Sequence, residues 1–149
     1  MKAWSNRTQE GMTLVEVLVA LVILGVGLLG AAAFQLNALK YTDSARMTSQ
    51  ASFIAYDMLD RIRANAVADY TIAPPASGNP GVTRDQDLFD FKSNIVSSLG
   101  TTATGSVTVN QQVYTITISW DDSRAANVAD SRRSFVLSSR AAVDSVVTP

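Results

Sequence analysis

A run of uncharged, mostly apolar residues from Val17 to Phe34 constrains this chain more than any other feature of its sequence. At 1.5 Å per residue, a helix of this length would roughly cross the ~30 Å hydrocarbon core of a bilayer. Lys2 and Arg7 precede the run, so the positive-inside rule predicts a cytoplasmic N-terminus and places Gln35 and all later residues on the opposite side. A charged side chain near the bilayer centre costs about 2.5 kcal/mol or more. A chain that keeps Glu16 next to this run is therefore expected to use it.

Composition excludes several functional classes. The formal net charge is −1, and basic residues cluster nowhere beyond Arg132–Arg133, so no basic face for nucleic acid is expected. The chain has no Cys and no His, which removes thiol chemistry, disulfides and the commonest metal ligand and general base. The adjacent Asp121 and Asp122 are interpreted as a solvent-exposed turn, because neither a calcium-loop nor a phosphate-loop pattern is present. We expect no enzyme activity, no metal and no cofactor.

Two ordinary interpretations of the apolar run leave part of the sequence unexplained. A secretory signal peptide would use the small residues Ala31–Ala33 as its cleavage site, but the run exceeds the usual 7–15 residues and Glu16 interrupts its start. A plain single-span anchor accounts for the run and its orientation, but gives no role to Gly11 or Glu16.

The residues EGMTLVEVLVAL resemble the class III signal of type IV pilins and pseudopilins. The resemblance implies that a prepilin peptidase removes residues 1–11 by cutting between Gly11 and Met12, and then methylates the new amine of Met12. It also implies an assembly role for Glu16, the fifth residue of the mature chain. Met12 departs from the family, in which Phe is commonest at this position. Glu16 of one subunit would face the Met12 amine of a neighbour; a contact within one chain or with the helix dipole is the alternative.

The run LVEVLVALVILGVGLLGAAAFQ and the pair Trp120-Asp121 at the end of an alternating strand are similar to PilV-type minor pilins. This resemblance implies a subunit that helps to initiate pilus assembly at the tip and supports twitching motility and adhesion. Its partners would be other minor and major pilins, prepilin peptidase and the inner membrane, with the head in the periplasm before assembly and in the pilus afterwards. A type II secretion pseudopilin of the I or J kind, or a simple membrane-anchored periplasmic domain, remain alternatives.

The pattern after the apolar run predicts an α+β fold of the type IV pilin kind. We expect a transmembrane and assembly helix over residues 12–34, its amphipathic continuation over 35–70 and a globular α+β head over 71–149. Four-residue spacing of Ile54, Met58 and Ile62 predicts the buried face of the continuation. The head is predicted to contain a helix from an Asp85 N-cap to a Gly100 stop, followed by an antiparallel meander. The strands of this meander are read from GSVTV, VYTITISW and RRSFVLSS.

Overall fold

The computed structural model describes residues 11–126 and 131–141. The elements are α1 (Leu14–Ala64), α2 (Thr83–Leu99), β1 (Thr104–Asn110), β2 (Val113–Asp121), the short α3 (Ser123–Ala126) and β3 (Arg132–Arg140). The chain divides into two units, of which the first ends at Leu39 and the second begins at Lys40. Most of the predicted leader (residues 1–10), four residues of the predicted polar loop (127–130) and the end of the predicted head (142–149) lie outside the described residues.

The part of α1 that belongs to the second unit provides one wall of its hydrophobic core. Ile54, Met58 and Ile62, which the spacing predicts to be buried, are all at most 8% exposed. Each large side chain buried in this way contributes roughly 1.5–3 kcal/mol relative to an exposed one. The other buried residues of α1 are Ser44, Met47, Ala51, Ala55 and Leu59. The predicted buried face of α1 is therefore confirmed, although the helix ends at Ala64.

A three-stranded antiparallel sheet in the order β1-β2-β3 forms the opposite wall of this core. In β2, Ile116, Ile118 and Trp120 are buried, and the residues between them are half-buried, as strict alternation predicts. Gln111 and Gln112 join β1 to β2 with φ values of 48° and 66°. Positive φ at both central residues is the geometry of a type I′ hairpin turn, whose twist matches that of the two strands.

The third strand completes the predicted meander. Phe135 and Leu137 of β3 are partly buried against the core, as the sequence predicts. Their partners in β2 are Ile118 and Ile116, so the buried faces of the two strands coincide. The result is a long N-terminal helix packed on a small antiparallel sheet, which confirms the predicted α+β fold.

Helix α2 covers the sheet through four buried side chains of the predicted stripe, namely Leu88, Phe91, Ile95 and Leu99. The predicted N-cap is wrong: α2 begins at Thr83 after Val82, and Asp85 lies in the first turn, 2.7 Å from Arg84. The predicted stop is confirmed, because Gly100 follows the helix with φ 103° and donates its N–H to the carbonyl oxygen of Val96.

Candidate functional site

The predicted processing bond lies immediately before α1. Gly11, Met12 and Thr13 adopt neither helix nor strand, and all three are exposed. Helix α1 begins at the next residue, Leu14. The peptide bond between Gly11 and Met12 thus lies outside the helix, between two exposed residues.

Thr13 caps the start of α1. Its side-chain oxygen and its carbonyl oxygen both accept a hydrogen bond from the backbone N–H of Glu16, at 3.3 and 3.0 Å. The Thr-x-x-Glu spacing is that of a capping box, in which side chains satisfy the unpaired N–H groups of a first helical turn. The backbone N–H of Glu16 is therefore held by Thr13, the residue that follows Met12.

The carboxylate of Glu16 lies in the first turn of α1 and is exposed. A negative charge at this end of a helix interacts favourably with the helix dipole. Within residues 11–126 and 131–141, Glu16 forms no salt bridge. In the uncut chain the nitrogen of Met12 is an uncharged amide, so a cationic amine next to Glu16 would arise only through cleavage.

The first unit presents an apolar helix surface that the chain itself does not cover. An 18-residue window within α1 has a mean hydropathy of 2.7 and none of it is buried. By length and composition this helix is able to cross a membrane. A Cβ atom added at Gly25, Gly27 or Gly30 would meet nothing within 4 Å, so these glycines serve no close contact with the part of the chain that the structure describes. Small residues on a membrane helix allow close approach of another helix.

Comparison with known protein families supports this interpretation of the N-terminus. Residues 6–32 match the family model for the prokaryotic N-terminal methylation motif. The matched range contains Gly11, Met12 and Glu16, and it supports a type IV pilin-like family whose members are structural proteins. No curated protein and no solved structure matches the chain.

The interpretation of Asp121 and Asp122 as a solvent-exposed turn is wrong for Asp122. Its side chain is only 7% exposed, and it accepts a hydrogen bond of 2.8 Å from the hydroxyl of Ser44 in α1. Arg133 of β3 lies 3.2 Å from the same carboxylate oxygen and also donates to Ser44. Asp121 is exposed as predicted, and hydrogen bonds from Ser123 hold the pKa of its carboxyl below the ordinary value.

A second polar network joins α1 to α2. Arg61 contacts Asp57, as the sequence predicts, and also Asp87 and Asp90 of α2, at 2.9, 2.8 and 3.3 Å. Burial alone lowers the pKa of Arg61, but its hydrogen bonds to Asp87 and Asp57 outweigh this effect and raise the pKa. Burial also raises the pKa of the Tyr70 phenol to about 12, and its hydrogen bond to Asp87 acts in the same direction.

Both networks connect different segments of the fold, so we interpret them as structural. Except for Asp57, which pairs with Arg61 within α1, their acidic side chains bond to arginines and hydroxyl groups of other segments. In the described parts of the chain, no group of three or more acidic side chains is arranged to hold a metal ion. Apart from the Asp57–Arg61 pair, the sequence does not predict these contacts, because their partners lie far apart along the chain.

Proposed function

We propose that this chain is a PilV-type minor pilin of a type IV pilus and helps to initiate pilus assembly at the tip. The match of residues 6–32 to the N-terminal methylation motif supports a type IV pilin-like subunit. The similarity of the apolar run and of the pair Trp120-Asp121 to PilV-type minor pilins carries the finer assignment. The position of the bond before Met12, outside the helix, and the uncovered apolar surface of α1 support it, because such a subunit is cut at its N-terminus and then packs through this helix. Twitching motility and surface adhesion would depend on the assembled fibre.

The proposed organisation follows the processing event. Residues 1–11 form the leader, residues 12–34 the transmembrane and assembly helix, residues 35–70 its continuation and residues 71–149 the globular head. Prepilin peptidase would cut between Gly11 and Met12 and methylate the amine of Met12. The N-terminus would be cytoplasmic and the head periplasmic until the subunit leaves the inner membrane for the fibre.

Glu16 is proposed as the residue that sets the register between subunits. After cleavage, the Met12 amine of a neighbouring subunit would neutralise its carboxylate among packed helices. Pairing offsets much of the cost of placing each charge in a low-dielectric surrounding. Only one axial stagger of two helices brings the two groups together, so the pair would also select that stagger.

The test is the intact mass and the N-terminal sequence of the protein isolated from membranes of its native host. The proposal predicts a start at Met12 and a mass increased by one methyl group. A start after Ala33 would identify a secreted domain, and a retained leader would identify an ordinary anchored domain. Either of these results contradicts the proposal.

The same motif match supports a type II secretion pseudopilin of the I or J kind equally well. Deletion of the gene separates the two functions. Loss of surface pili and of twitching motility with normal protein secretion supports the minor pilin. Loss of secretion with intact pili assigns the chain to the secretion system.

A further inference from the structure

Strand β1 has an outer edge at which backbone groups remain available for pairing. β1 lies at one side of the sheet, next to β2. The type I′ turn makes Asn110 and Val113 a hydrogen-bonded pair, and such pairs alternate along an antiparallel ladder. The backbone N–H and C=O groups of Gly105, Val107 and Val109 therefore point away from β2. Within the described residues, none of these groups forms a hydrogen bond.

The two edge strands of the sheet differ in their protection against further pairing. Charged side chains or proline on an edge commonly prevent it from binding another strand. β3 carries Arg132, Arg133 and Arg140, whereas β1 has the uncharged sequence TGSVTVN. The loop before α2 contributes Pro74 beside β1, but proline has no N–H with which to pair. The edge of β1 is therefore the more suitable one for an added strand.

A groove runs beside this edge, between β1, α2 and the loop before α2. Two neighbouring cavities of about 340 and 420 Å³ form it. Both are lined by Ala73, Pro74, Phe91 and Gly105. One cavity extends along β1 to Val107, and the other extends in the opposite direction to Ala103. Each has the size of an ordinary ligand pocket, about 300–1,000 Å³. We name this feature the β1 groove.

The walls of the β1 groove combine apolar side chains with a single charge. Phe91, Ile95 and Val96 of α2 provide an apolar surface. Lys92 is the only charged residue that lines the two cavities. It is exposed and forms no salt bridge within residues 11–126 and 131–141. The groove thus has the features that bind an extended peptide at a sheet edge: free backbone groups for affinity and side-chain contacts for specificity.

We propose that the β1 groove binds an extended peptide segment of a partner protein, which adds a fourth strand to the sheet. Its backbone would bond to Gly105 and Val107. Because alternate side chains of a strand lie on one face, apolar side chains would contact Phe91 and Ile95, and a carboxylate on the same face would pair with Lys92. All these residues lie in the second unit, and the inference requires neither cleavage at Met12 nor assembly into a pilus.

The experiment titrates the full-length chain in detergent micelles with three synthetic peptides and follows the amide resonances by NMR. The probe is acetyl-TVTVTDT-amide, whose Val and Asp side chains share one face of a strand. In the second peptide Lys replaces Asp, and in the third the backbone nitrogens are methylated and cannot donate. The acidic peptide should bind most tightly and move the amide protons of Gly105 and Val107 downfield. The amide proton of Ser106, which already points to β2, should shift less.

Two substitutions test the walls of the groove, each with a matched control. Lys92→Gln should weaken binding of the acidic peptide about two- to five-fold, the effect of one exposed ion pair. Arg140→Gln removes the same charge from the other edge strand and should leave the affinity unchanged. Ala73→Trp, at an exposed position that lines both cavities, should fill the groove and abolish binding. Ala45→Trp, at an exposed position of α1 outside the groove, should bind as the wild type does.

The outcomes separate the possible occupants of the groove. Equal binding of the methylated peptide, or no binding of the acidic peptide, would overturn the inference. A chain that lacks residues 142–149 tests the protein itself. Upfield shifts of the Gly105 and Val107 amide protons in that chain, without peptide, would assign the groove to the protein's own C-terminal segment and overturn the partner. A dependence of the same shifts on protein concentration would assign it to a second copy of the chain, with the same consequence.

Discussion

The phenol of Tyr70 donates a hydrogen bond of 2.7 Å to the carboxylate of Asp87, and both side chains are buried. The other oxygen of Asp87 accepts a hydrogen bond of 2.8 Å from Arg61. This pair of contacts joins the end of α1, the loop that follows it and α2. The carboxylate thus has both a hydroxyl and a guanidinium partner, which is the condition for burying a charge at moderate cost.

Tyr70→Phe should destabilise the protein by about 1.5–3 kcal/mol, the range for a hydrogen bond to a charged group. The substitution keeps the ring in the core and removes the hydroxyl that donates to Asp87 and accepts a longer hydrogen bond of 3.3 Å from Asn65. Urea denaturation of the full-length chain in detergent micelles measures the change. Tyr114→Phe, at a half-buried ring of β2, is the control and is expected to stay within about 0.5 kcal/mol. Equal effects of the two substitutions would show that the bond to Asp87 contributes nothing specific.

Stability should fall as the pH rises from 10 to about 12. The pKa of Tyr70 is raised from 10.0 to about 12 in the folded protein, so the folded state retains the proton that the unfolded state loses. A raised pKa contributes stability that is complete below the unfolded value and is lost as the pH passes through the folded value. Unfolding free energies measured across this range test the sign. Tyr70→Phe should flatten this part of the curve, and an unchanged curve would contradict the assignment to Tyr70.

Asp122→Asn should destabilise the protein by about 1.5–3 kcal/mol, because the buried carboxylate bonds to Ser44 and pairs with Arg133. The amide has the same shape but lacks the charge. Asp121→Asn is a close control, since it makes the same change one residue earlier at an exposed side chain. Thermal melting of both variants should show a lowered unfolding midpoint only for Asp122→Asn. Equal midpoints would restore the interpretation of both aspartates as a solvated turn.

Gly105→Ala should destabilise the second unit by about 1–3 kcal/mol through overpacking. A Cβ atom at this position would collide with Cδ1 of Ile95 and lie 2.7 Å from Cε1 of Phe91. Both neighbours belong to the buried face of α2 and pack in the hydrophobic core, so their displacement would disturb core packing. Ser106→Ala, at the next and exposed position of β1, is the control and should change stability by less than about 0.5 kcal/mol. Thermal melting of both variants measures this difference in stability.

Local patterns account for the parts of this fold that the sequence predicts. The roles proposed for Gly11 and Glu16 rest on a short motif that specifies their spacing within a few residues. The core face of α1 and the alternation of β2 follow from side-chain periods of about four and two, which are properties of one element at a time. The start of α2 is harder to predict from the sequence. The helix begins at Thr83, directly after Val82, so Asp85 lies within its first turn.

Contacts between distant segments account for the parts that the sequence does not reveal. Asp122 is buried because Ser44, 78 positions away, supplies a hydrogen bond, yet its neighbours in the sequence are those of an ordinary polar turn. The Asp87 network similarly depends on an arginine 26 positions away and a tyrosine 17 positions away. Such pairings follow from the packing of α1 on α2 and the sheet, which no local pattern encodes.

Glu16→Gln should leave cleavage between Gly11 and Met12 intact but reduce incorporation into a fibre by more than about ten-fold. The amide cannot neutralise the Met12 amine of a neighbouring subunit, and an unpaired buried charge strongly disfavours packing. Intact mass of the membrane fraction checks cleavage, and immunoblotting of sheared fibres checks incorporation. Glu10→Gln makes the same change in the leader, which cleavage removes, so correctly cut protein should be incorporated normally. A role limited to the helix dipole predicts normal incorporation of Glu16→Gln, and that result would contradict the pairing between subunits.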